Sequence, residues 1–84
     1  MGSGMTKDVV APPGGVMTDE VGTITGELTL EPKIGSDGTV RLRAQYKGAE
    51  EWYTVTGAQI KVPDPGNGAA VDRAAQDLLS RFTP

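Results

Sequence analysis

Arg41, Arg43 and Lys47 share one parity of a strand-like run, and Trp52 follows a few residues later. Guanidinium and ammonium groups beside an indole plane stack nucleic-acid bases or grip the carboxylates of an acidic peptide. The other polar residues promise less. Glu50 and Glu51 are neighbours, so an extended chain points them to opposite faces and they cannot share a glycosidic or proton-transfer site. Ser36, Asp37 and Ser80 lack an activating base, because the chain contains no His and no Cys. The same absence removes disulfides, thiolate metal sites and the commonest zinc ligand. Asp37-Gly38 and Asp64 to Gly68 do not spell a calcium loop, and Gly66-Asn67-Gly68 reads as a helix start. No catalytic, cofactor-binding or metal site is expected, and the protein is read as not an enzyme.

The residues that carry the cations belong to a predicted hairpin, Thr39 to Val62. Val40, Leu42, Ala44 and Tyr46 alternate with Thr39, Arg41, Arg43, Gln45 and Lys47, the period of a strand with one buried face. A two-residue turn at Gly48-Ala49 sets Ala44 opposite Tyr53 and Leu42 opposite Val55, so both members of each pair are apolar. Trp52 then lies on the outer face, opposite Gln45 and diagonal to Arg43, in one row with Thr54 and Thr56. A one-residue slip would bury Trp52 but would also place Thr54 and Thr56 inside. Ala58, Ile60 and Val62 have the opposite parity to Tyr53 and Val55, which predicts a one-residue bulge at Gly57.

Before the hairpin, Val21 to Glu31 reads as a strand with Ile24, Gly26, Leu28 and Leu30 on one face, ended by Pro32. A turn at Asp37-Gly38 leads back. Pairing Leu30 with Val40 sets Glu27 across from Arg43, and a shift by two sets Glu31 against Arg41; both registers put Glu–Arg pairs on the outer face. After the hairpin, Asn67 is the expected N-cap, with Asp64 before Pro65 as the competitor. Val71, Ala74, Ala75, Leu78, Leu79 and Phe82 form one helical stripe, and Asp77 and Arg81 pair at i, i+4. The expected fold is α+β: a three-stranded antiparallel meander, with a possible bulge or short fourth strand, and one C-terminal helix on one face.

Residues 1–4 read as an expression scar, residues 5–20 as a flexible arm around Pro12-Pro13-Gly14-Gly15, and residues 21–84 as a single small domain. The net charge of −3 argues against generic binding to nucleic acid or anionic membrane. Lys7 against Asp8, Asp19 and Glu20 accounts for most of it, which leaves the patterned region near neutral. No apolar run reaches the roughly 18 residues that a membrane span needs, and a cytoplasmic protein is expected. So short a chain buries little apolar surface, which makes self-association plausible on stability grounds.

The sheet-plus-helix order over roughly residues 21–82 resembles the DNA-binding domains at the N-termini of tyrosine recombinases, which implies a sheet face that reads DNA; Glu27 and Glu31 on that face weigh against it. Tyr53-Thr54-Val55-Thr56-Gly57 ahead of a helix is similar to a pattern in short bacterial proteins, a likeness that implies no activity. The reading is a non-catalytic accessory or regulatory module that binds a protein partner, or itself as a homodimer, through Arg41, Arg43, Trp52 and Thr54. The alternative is a nucleic-acid binder that uses the same face, and a second alternative is a structural homo-oligomeric assembly subunit.

Overall fold

The computed structural model describes residues 6–82, so the expected scar at residues 1–4 lies outside the described residues. Within them the chain runs β1 (Lys7–Val10), β2 (Val16–Thr18), β3 (Gly22–Ile24), β4 (Glu27–Ile34), β5 (Thr39–Tyr46), β6 (Tyr53–Lys61) and α1 (Gly68–Phe82). The strands join in one antiparallel sheet of order β1-β4-β5-β6-β2-β3. The α+β class stands, but the three-stranded meander is corrected to six strands. β4, β5 and β6 are that meander, with α1 across it; β1 and β2 come from the stretch expected to lie outside the sheet.

The additional strands form the arms of a kinked hairpin. Val9 pairs with Leu28 in the β1–β4 ladder, and Val16 pairs with Ile24 in the β2–β3 ladder. Between them the Ala11 N–H donates to the Gly26 carbonyl at 2.9 Å. The first arm carries extra residues at the kink, and Pro12 to Gly15 turn there, closed by the Gly15 N–H on the Pro12 carbonyl at 2.8 Å. Gly15 cannot be replaced there: its φ is +78°, and an added Cβ would run into Thr23 Cγ2 and stand 2.8 Å from the Ile24 carbonyl oxygen. The kink carries the hairpin tip across until Thr18 of β2 pairs with Val55 of β6. β3 runs on through Thr25 and Gly26 into β4, so the sheet returns on itself.

Pro32 does not end its strand as expected; β4 continues to Ile34, and Pro32 faces Leu42. The reason lies in the ladder. The Gly35 N–H donates to the Thr39 carbonyl, and the Lys47 N–H donates to the Glu27 carbonyl. Alternation between these bonded positions makes Pro32–Leu42 a non-bonded pair, so the missing proline N–H would have pointed away from β5. On that side the β1 pairing stops at Lys7–Leu30. The longer strand moves the β4–β5 register beyond both expected ones, to Leu30–Ala44 and Glu31–Arg43.

The expected Ala44–Tyr53 pair is present, and Arg43 faces Thr54. The Leu42–Val55 pair is absent from the ladder, because Arg41 already faces Gln59. Five residues of β6 thus span two of β5, an insertion of three where one was expected, with Gly57 at φ 76°. Any odd insertion reverses parity, which is why Val55 and Ala58 are both buried. The turn is longer than two residues, since β5 ends at Tyr46 and β6 begins at Tyr53.

Leu28, Leu30, Val40, Leu42 and Val55 line the core face, and Leu78 from α1 is fully buried against it. Ala74 and Ala75 are small enough to bring the helix close to β4 and β5. Val71, Leu79 and Phe82 pack at the border, as the helical stripe predicts. Asn67 caps the helix, its Oδ1 accepting the Ala69 and Ala70 N–H groups at 3.0 and 3.3 Å.

Candidate functional site on the outer sheet face

The helix covers one face of the meander, and the opposite face carries Glu27, Thr29, Glu31 and Lys33 of β4 beside Arg41, Arg43 and Gln45 of β5. Alternation along both strands puts every one of these polar residues on that side. Arg43 is the centre. Its Nε and Nη2 both donate to Glu31 Oε1, the first at 2.8 Å, and its guanidinium carbon stands 4.5 Å from the centroid of the Trp52 ring. The Arg43 and Glu31 side chains are 30 and 22 % exposed, so this stack of carboxylate, guanidinium and indole is partly shielded from water. A cation over an indole in such a setting contributes on the order of 0.5–1 kcal/mol and fixes the ring's orientation. Trp52 is half-buried, in the position beside Arg43 that the preferred register requires.

Arg41 and Thr54 share the face but are engaged within the chain. The Arg41 guanidinium grips both oxygens of Asp37, at 3.3 and 2.8 Å, and Asp37 Oδ1 also accepts the Thr39 N–H at 3.1 Å. These bonds hold the Asp37 carboxyl well below its ordinary range, at about 2, and raise Arg41 in return. Thr54 gives its N–H and hydroxyl to the two oxygens of Glu20, at 2.7 and 2.9 Å, and both bonds lower the Glu20 pKa. Thr56 likewise donates to Asp19. The turn after β2 is thus clipped to the edge of β6 by two carboxylates.

A shallow groove of about 210 Å³ runs across this face, with Lys33, Ile34, Arg41, Arg43 and Thr54 among its walls. Lys33 has no ion-pair partner among the described residues. Farther along, Lys47 stands 3.7 Å from both Asp8 and Glu27, and Thr29 donates to Asp8 at 2.9 Å. Acidic and basic groups therefore interleave across the face, the wrong pattern for tracking a polyanionic backbone. Among the described residues no group of three or more acidic, His or Cys side chains converges to hold a metal ion. No helix among them is long and apolar enough to cross a membrane.

The four residues expected to bind a partner therefore meet on one face, with Trp52 stacked on Arg43. Sequence reasoning missed the two acids that organise them. Glu31 was set against Arg41 in one expected register and faces Arg43 instead; Glu20 lay in the presumed arm, and no local pattern links it to a strand 34 residues away. No protein-family model, no curated protein and no solved structure matches the chain.

Proposed function

We propose that this protein is a non-catalytic interaction module that holds a protein partner, or a second copy of itself, on the outer sheet face around Arg43 and Trp52. The observation that carries the reading is the Glu31–Arg43–Trp52 stack. It presents an indole on the face that the helix leaves uncovered, already oriented before any partner arrives. Arg43 spends two donors on Glu31 and leaves Nη1 without a partner among the described residues, ready for a carbonyl or carboxylate. Aromatic and arginine anchors held in place in this way are the side chains that dominate interface energetics.

The test is the double variant Trp52→Ala, Arg43→Ala, with affinity capture and thermal melting measured side by side. The expected outcome is loss of the captured partner with a nearly unchanged melting transition. Loss of the fold would instead make the stack a structural element. A nucleic-acid binder would use the same stack, and its affinity would fall steeply with salt. The interleaved carboxylates of Glu27, Glu31 and Asp8 favour the protein partner.

A further inference from the structure

β6 has a neighbour on each side for only part of its length. β2 reaches it at Thr18–Val55 alone, while β5 pairs with it as far as Thr39–Lys61. The Val62 N–H donates inward to the Gly38 carbonyl at 2.9 Å, so the bonded positions toward β5 fall on even residues in this part of the strand. Gln59 and Lys61 therefore aim their backbone N–H and C=O groups outward, at an open edge. Gly57 and Pro63 bracket this segment.

Directly beside the edge, on the helix side, lies a groove of about 710 Å³ between β6 and α1, lined by Ile60, Val62, Ala70, Ala74 and Arg73 with Lys61 at its rim. Its floor is apolar, and its cations are unused. Asp77, on the same wall, is taken by Arg81 at 2.9 Å, whereas neither Lys61 nor Arg73 has an acidic partner among the described residues. Arg73 thus stands beside the trough on the helix side, while Lys61, alternating with Ile60 and Val62, stands on the outer side of the same row of free strand groups, on a chain whose net charge is −3.

We infer that the Gln59–Lys61 edge is a docking site for an extended acidic segment of a partner protein, added as a further antiparallel strand. Its alternate apolar side chains enter the groove over Ile60 and Ala74, and the carboxylates between them point to the opposite face, where they meet Lys61. A second copy fits the same edge less well. Pairing β6 with its own symmetry mate at Ile60 would leave the two helices, which lie mainly over β4 and β5, roughly four strand spacings or ~19 Å apart. Packed helices stand about 8–10 Å apart, so the groove would stay unfilled. This site is separate from the outer face around Trp52, and the two are tested by different residues.

The experiment titrates the full chain, labelled for amide NMR, with acetyl-Glu-Val-Glu-Val-Glu-amide and with its Lys-Val counterpart. The expected result is shifted Gln59 and Lys61 amides with the acidic peptide and roughly tenfold weaker binding of the basic one. The Lys61→Glu variant should reverse that preference. Gln59→Pro, which removes only an outward-facing donor, should abolish binding with the spectrum of the fold retained. Equal affinity for the two peptides, shifts confined to β1 or the Trp52 face, or no shift at all would overturn the inference. So would concentration-dependent shifts of Gln59 and Lys61 without peptide, which would assign the edge to a second copy.

Discussion

Asp37 ties the turn between β4 and β5 to the strand that follows it, by accepting both the Thr39 N–H and the Arg41 guanidinium. Its carboxyl falls from an ordinary 3.8 to about 2 in the folded chain, mainly through the Arg41 bond and then the Thr39 bond. A depressed folded value means that the contribution is complete above 3.8 and disappears as pH falls through about 2. Asp37→Asn should therefore lower the melting temperature near neutral pH and converge with the parent across that acid window. A constant difference down to the lowest pH would show that the charge is not what matters. Asp37 was legible as a turn residue beside a glycine, but its grip on Arg41 was not, because Arg41 was assigned to a partner. A sequence shows that a cation is exposed; which neighbour claims it depends on side-chain geometry.

At the scale of elements, α1 was the most legible part of the chain, since its apolar stripe and asparagine cap are local signals that packing reinforces. Leu78 is fully buried at the centre of that stripe, whereas Asn67 acts only at the helix end. Leu78→Ala should destabilise the fold by about 2–5 kcal/mol and Asn67→Ala by about 1 kcal/mol, read from denaturant unfolding. Similar costs would mean that the helix is held by its ends and not by its seat on the sheet. The parity of β5 was equally legible, and with it the shared face of Arg41 and Arg43. The β4–β5 register was not, because Pro32 reads as a breaker in one dimension and sits harmlessly in a non-bonded position in two. β1 and β2 were invisible for a different reason: strands of four and three residues are too short to display a period.

For the whole molecule, the size of the core was underestimated because the arm was set aside. Val9 and Val16 complete the cluster that Leu28, Leu30 and Val55 begin, and the acids of the same stretch fasten Thr54 and Thr56. The candidate face was therefore half legible: its residues from alternation, its internal partners only from closure of the sheet. That closure rests on one rung, Thr18–Val55, a main-chain bond from the Asp19 N–H to the Thr54 carbonyl at 3.0 Å, and the side-chain clips of Asp19 and Glu20. Since β3 continues covalently into β4, the hairpin tip can lift from β6 without any disturbance of the β4–β5 ladder. The molecule should then open in two stages, the tip as a low-energy local unit and the meander with its helix only on global unfolding. Amide hydrogen exchange would resolve them as a fast class over residues 16–24 and a slow class through β4 and β5. A single class throughout would mean that the tip and the meander open only together.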